Sequence, residues 1–356
     1  MARRLLFSAF DPTIGTELWV TDGTAAGTTL VKDINPGVGS SNPAGFKSLG
    51  TKAVFSASDA TNGAELWVTD GTSAGTQLVK DINPGVGASS PFGFTALGNK
   101  LVFSALDANH GSEIWVTDGT TAGTQLVKDI NPGIGDAAPG IFTALGNKLV
   151  FSANDGTNGQ EVWVTDGTSA GTQLLKNINP GAGVGSFPDQ FASLGNKLVF
   201  AADDGTNGRE LWTTDGTSAG TQLLKDINPG AGTSDAFGFT AFGNKLIFNA
   251  DDGTHGGELW VTDGTSAGTQ LLKDINPGAA TSFAFNFVAL GNKLVFSAND
   301  GTNGNELWVT DGTSAGTQLL KDIDPGAGFS GPSGLPRLAT NCSFKPRAST
   351  PAPSFG

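Results

Sequence analysis

Fourteen carboxylates recur in pairs at one spacing, and by number they are the residues best placed to do chemistry. Each pair lies in a segment of the form Asp-x-[Thr/Asn]-x-Gly-x-Glu: Asp11/Glu17, Asp59/Glu65, Asp107/Glu113, Asp155/Glu161, Asp204/Glu210, Asp252/Glu258 and Asp300/Glu306. A turn of this length sets two like charges near the ends of one hairpin, where they repel. A hard cation with oxygen ligands would relieve that repulsion, and calcium is the ion such a turn would suit. The spacing is not that of an EF-hand loop. The competing reading gives each carboxylate a protein partner: Asp accepts the N–H groups of its own turn, and Glu pairs across the next hairpin with Lys32 and its equivalents. That lysine is present in all seven copies. The second reading is the simpler, because binding local backbone N–H groups is the usual work of a turn Asp.

The two histidines, His110 and His255, occupy the same turn in two of the seven copies. Neither has a Ser, Cys or second His directly beside it. The other five copies lack His there, which excludes a repeated catalytic site. Both read as solvated turn residues. An enzyme would have to assemble unique, scattered residues at a channel mouth, and no such set is visible. The single Cys342 excludes an internal disulfide and a thiolate metal site.

These turns belong to a repeat whose beat is tryptophan. Trp19, Trp67, Trp115, Trp163, Trp212, Trp260 and Trp308 are spaced 48, 48, 48, 49, 48 and 48 residues apart and are all the tryptophans in the chain. A period in this range signals a repeat architecture. One unit, read from Phe94, holds four short apolar runs separated by Gly/Asn/Asp/Pro clusters. They begin at Phe94 (strand A), Lys100 (B), Glu113 (C) and Gln125 (D). Short runs bounded in this way read as strands, and no segment keeps a helical period. Gly98-Asn99 has the chemistry of a tight A–B hairpin, Asp118-Gly119-Thr120 opens the C–D turn, and Pro132-Gly133 ends strand D.

Four antiparallel strands in about 48 residues make a propeller blade. The expected fold is all-β: a seven-bladed β-propeller of four-stranded antiparallel blades, a single domain over 1–340 with a loose tail at 341–356. The chain starts in phase with strand B at Arg4-Leu5-Leu6-Phe7 and lacks a first strand A. Segment 334–340 matches a strand A with no blade of its own. Closure is therefore expected through a composite blade, with strand A from the C-terminus and strands B–D from the N-terminus. Residues 341–346 fall in phase with 4–9 but carry Pro346, which weakens them as a competing strand.

The unit Glu17-Leu18-Trp19-x-x-Asp22-Gly23-Thr24-x-x-Gly27-Thr28 resembles the bacterial ELWxxDGTxxGT repeat family, over essentially residues 4–340. Ile114 and Val162 replace Leu in two copies. The strand pattern is more distantly similar to TolB-type propeller repeats. The resemblance implies a propeller and an extracellular or cell-surface setting, and supplies no site residues.

Composition bounds the partners. With 20 Lys+Arg against 33 Asp+Glu the net charge is −13, which argues against nucleic acid or an anionic membrane. No run approaches a membrane span. The N-terminal apolar stretch is too short for a signal peptide. No organic cofactor is implied, and a monomer is expected.

A contrast between repeats points to a binding face. The A–B and C–D links hardly vary, whereas the D–A connections do. In an up-and-down blade the D–A and B–C links share one face, so that face is individual and the other uniform. Phe187, Phe237, Phe283 and Phe285 fall in D–A connections of neighbouring blades and form the candidate ligand-binding patch. The alternative is that these rings turn inward over the blade junctions. The expected function is a non-enzymatic binding or adhesion scaffold for an unidentified protein or carbohydrate surface. A multivalent lectin-like propeller, with sugars on the tryptophans, is the alternative. The bland reading of the tryptophans is inter-blade core.

Overall fold

The computed structural model describes residues 4–181, 183–328 and 330–333. Every element in them is a strand, and the strands form seven antiparallel sheets in chain order. Blade I holds β1 (Leu5–Asp11), β2 (Gly15–Thr21) and β3 (Thr29–Lys32). Blade II holds β4 (Ala44–Leu49), β5 (Lys52–Asp59), β6 (Gly63–Thr69) and β7 (Gln77–Lys80). Blades III to VII repeat the four-strand order of blade II. In blade III the strands are Phe92–Leu97, Lys100–Asp107, Gly111–Thr117 and Gln125–Lys128. Strand A thus starts two residues earlier than the apolar run suggests. Strands B and C run further into their turn, with Asp107 registered opposite Gly111.

The seven-bladed β-propeller follows from what each sheet would otherwise expose. Strand B carries a fully buried Phe in blades II to VII, and strand A lays a second Phe on it with ring centroids 5.0–5.3 Å apart. Strand C carries the Trp, which packs into the preceding blade. Trp67, for example, sits in one cluster with Leu18, Val20, Val31 and Ile34 of blade I. Six such inter-blade cores join the seven blades in succession. Tryptophans 67 to 308 are only 5–6 % exposed. Burying an aromatic ring of this size is the largest single gain a blade can make, so the sugar-stacking reading of these rings does not hold.

Neighbouring strands A lie against one another, so strand A is the innermost strand and D the outermost. The blade VII–I junction differs from the other six. Ile323 is 52 % exposed where its six equivalents are 3–5 %, and Trp19 is half-buried. Blade I has no strand A among the described residues. The segment expected to supply it, 334–340, and the tail at 341–356 lie outside them.

The family motif has a local cause. In each C–D hairpin an Asp accepts the N–H and hydroxyl of the Thr two residues on, as Asp118 Oδ1 does from Thr120 N (2.9 Å) and Oγ1 (2.7 Å). Its carboxylate then lies over Gly123, where a β-carbon would stand 2.1–2.3 Å from the carboxyl atoms. Only glycine fits beneath it.

Candidate functional site

The paired carboxylates do not converge. Asp59 Oδ1 accepts Thr61 N (2.8 Å) and Asn62 N (2.7 Å), and its Oδ2 accepts the Asn62 side chain at 2.9 Å. Asp155, Asp204 and Asp300 repeat the pattern on Asn158, Asn207 and Asn303. Asp11 binds Thr13 instead. His110 and His255 take the place of that Asn, with Nδ1 2.9 Å from Asp107 and 2.7 Å from Asp252. The hydrogen bond to each Asp raises the imidazole's pKa. They are turn residues, as expected.

Each Glu goes elsewhere. Glu17, Glu65, Glu113, Glu161, Glu210, Glu258 and Glu306 are fully buried beneath the D–A connection of their own blade. Glu17 accepts Ile34 N at 2.7 Å, Ser41 N at 2.9 Å and Ser41 Oγ at 2.6 Å. It thereby pins both ends of the connection. Burial raises the carboxyl pKa in blades II to VI, against these hydrogen bonds. It reaches about 7 at Glu113, Glu210 and Glu258. Beside Glu113, Ala137 takes the place of the Ser, and beside Glu210 and Glu258 the hydroxyls of Ser234 and Ser282 donate to the carbonyls of Arg209 and Gly257.

One expectation is corrected by this geometry, the Glu–Lys pair. The Asp and Glu of a turn have separate sets of protein donors. No cluster of three His, Cys, Asp or Glu able to hold a metal occurs among the described residues. Nor does Glu pair with the strand-D lysine. Lys32 is registered opposite Leu18, one residue from Glu17, so the two side chains leave the sheet on opposite faces. Lys32 Nζ instead donates to Thr76 O of the next blade at 2.8 Å and lies 6.0 Å from the Trp67 ring centroid. Lys80 and Lys176 do the same to Thr124 and Trp115, and to Thr221 and Trp212.

The phenylalanines are exposed rather than turned inward: Phe187 59 %, Phe237 42 %, Phe283 61 % and Phe285 36 %. Phe237 and Phe285 are the first residues of their blades' strands A, Phe237–Phe242 and Phe285–Leu290. They share one concavity of about 350 Å³, with Gln190, Phe239, Asn286 and Phe287. Phe187 and Phe283 stand in the preceding loops, at φ near 48°. An aromatic residue in the left-handed region costs on the order of 1–3 kcal/mol. The equivalent residues Asn42, Ser90, Ala138 and Asp235 share that conformation, so the loop imposes it and Phe is held there against preference.

Sequence reasoning missed part of this surface. Phe92 and Ile141, at the starts of the strands A of blades III and IV, are 51 % and 56 % exposed. Val38, Val86 and Ile134 are more than 80 % exposed. The apolar surface therefore extends beyond the three connections that carry Phe. The signal was present as the apolar residue after each Pro-Gly. Between the loops, Arg209 of blade V donates to Phe187 O at 2.9 Å and pairs with Asp189. That pair occurs in this blade alone.

Fold and surface together define a seven-bladed propeller with one uniform and one individual face. No protein-family model and no curated protein matches the chain. Among solved structures it is similar to the computationally designed Ika8 protein, at 22 % identity over 88 % of this chain and 85 % of that one, TM-score 0.46. It is also similar to prolyl endopeptidase at 15 % identity over 90 % of this chain, TM-score 0.47, and spans about half of that protein's length. TolB from Acinetobacter baumannii matches at 16 % identity over 73 % of this chain and 61 % of its own, TM-score 0.35.

Proposed function

We propose that this chain is a non-enzymatic binding and adhesion scaffold that docks a protein through its individual face. The observation that carries the reading is the exposure of Phe187, Phe237, Phe283 and Phe285 on one face, two of them in a conformation that disfavours Phe. Large exposed apolar patches rimmed by polar groups mark interaction sites, and aromatic anchors dominate such interfaces. The Phe237–Phe285 concavity suits an apolar side chain from the partner.

The test is the triple substitution of Phe187, Phe237 and Phe283 by Ser. Peptides centred on an aromatic or aliphatic residue, selected on the wild type from a displayed library, should bind the variant at least tenfold more weakly. The melting temperature should stay within about 2 °C, because surface substitutions shift stability little. Equal peptide binding, or a collapse in stability, defeats the proposal.

A further inference from the structure

The opposite, uniform face has a feature the docking face lacks. Its A–B and C–D hairpins leave a cleft between successive blades. Between blades V and VI the cleft measures about 600 Å³. Its rim carries Asn196 and Lys197 from one blade and Asn244, Lys245, Asp263 and Thr265 from the next. The cleft between blades IV and V, about 530 Å³, is built from the equivalent residues. A smaller one of about 250 Å³ lies between blades I and II, with Arg4 and Lys52 as its cations and Asp70 as its anion.

The floor is apolar, made by the half-buried Leu194 over the fully buried Val199. Gly264 presses the neighbouring hairpin onto it: a β-carbon there would stand 3.1 Å from Leu194 Cδ2, and the same contact recurs as Gly216 on Leu145 and Gly167 on Leu97. Each cleft is therefore set by close backbone packing, and its shape repeats because the packing does.

The polar groups of the rim are not used up by one another. Asp263 Oδ1 accepts Thr265 N at 2.9 Å and Thr265 Oγ1 at 2.7 Å. Those bonds, and more weakly Lys245, hold its carboxyl below the ordinary range. Yet Lys245 and Asp263 form no ion pair, since the only ion pairs among the described residues are at His110, Arg209 and His255. Of the strand-D lysines, by contrast, Lys32, Lys80 and Lys176 commit their ammonium groups to carbonyls of the next blade.

Ammonium and amide donors beside carboxylate, amide and hydroxyl acceptors, over an apolar floor, match a polyhydroxylated ring. Each ring hydroxyl both donates and accepts, and the C–H face is apolar. Each rim sets two cations against one carboxylate, and it is the net charge of −13 on the whole chain that disfavours a polyanion. The rim's polarity disfavours an apolar ligand. We propose that the inter-blade clefts are equivalent binding sites for a neutral, hydroxyl-rich polysaccharide. No exposed tryptophan lines them, so one cleft binds weakly, and a polymer spanning several gains avidity from linkage.

The probe is an array of neutral and acidic glycans, followed by affinity electrophoresis in gels containing the best soluble neutral polysaccharide. The wild type should be retained by a neutral glycan, with retention surviving about 0.5 M salt, where the Debye length has shrunk to about 4 Å and exposed charges are largely screened. Substituting Lys148, Lys197 and Lys245 by Ser should weaken retention at least tenfold without changing the melting temperature. Asn196→Asp and Asn244→Asp should weaken it as well, through a route that leaves the ammonium groups in place. The Phe187/Phe237/Phe283 triple variant should be retained like wild type, which separates this proposal from the docking face. Absence of retention on every neutral glycan, retention of acidic glycans alone with loss in salt, or wild-type retention by the lysine variant would each overturn it.

Discussion

The buried glutamates predict an unusual dependence of stability on pH. At Glu113, Glu210 and Glu258 burial raises the carboxyl from its ordinary value of 4.5 to about 7. In the unfolded chain these groups release their protons near the ordinary value. Between about 4.5 and 7 the native state therefore holds protons that the unfolded state has lost. Stability must fall as pH rises through that window and level off above it. Each group contributes a slope of up to about 1.4 kcal/mol per pH unit. Acting together, the three give a loss on the order of 10 kcal/mol, or about 15 °C of melting temperature for a chain of this size. The turn aspartates act in the opposite sense. Their hydrogen bonds to Thr hold Asp70, Asp118, Asp166 and their equivalents below 3.8, so that stability is lost only as pH falls below that value. The optimum should lie near pH 4 to 5, well below neutrality. Melting curves from pH 4 to 8, for wild type and for the combined Glu113→Gln, Glu210→Gln and Glu258→Gln variant, test this. The variant should lose most of that slope between 5 and 7, the remainder coming from Glu65 and Glu161, whose carboxyls burial also raises. A wild type whose melting temperature is constant or rises over that range would refute the assignment and leave these carboxylates ionised in the core.

Three further outcomes follow. Gly123→Ala should destabilise by about 1–3 kcal/mol in thermal melts, because the new methyl meets the Asp118 carboxylate. The double variant Gly123→Ala, Asp118→Ala should recover part of that loss. Lys80→Met should cost roughly 1–2 kcal/mol by removing a hydrogen bond to Thr124 and a cation over Trp115, and salt should not restore it. Millimolar calcium should leave the melting temperature unchanged relative to chelator, because a native-state ligand would raise it and the turn carboxylates already have protein donors.

The candidate surface was legible in part. Large residues appearing where other repeats have small or polar ones marked Phe187 and Phe283. Their left-handed backbone could not be read from the repeat, because Asn42, Ser90, Ala138 and Asp235 share no side-chain property that signals it. The partner of Glu depends on the register of the C–D hairpin, which residue types do not reveal. The register places Leu18, not Glu17, opposite Lys32, and a one-residue difference reverses the face. The inter-blade clefts had no sequence signature at all, since each is assembled from hairpins about 48 residues apart.

By itself the sequence determined the blade. The 48-residue period, the turn chemistry of Asp-Gly-Thr and Gly-Asn, and the alternation of large apolar residues are local properties, and they dictate four short strands whatever surrounds them. It also determined that blades must stack, because each strand C exposes a Trp that only a neighbour can cover. The tertiary structure alone decided what each polar side chain does once stacked. Burial sent the seven glutamates under their loops and raised the carboxyl pKa of the five in blades II to VI, while register sent Lys32, Lys80 and Lys176 across to the next blade and its tryptophan. Those outcomes depend on which faces meet and how much water is left between them, quantities set by packing between repeats and absent from any one of them.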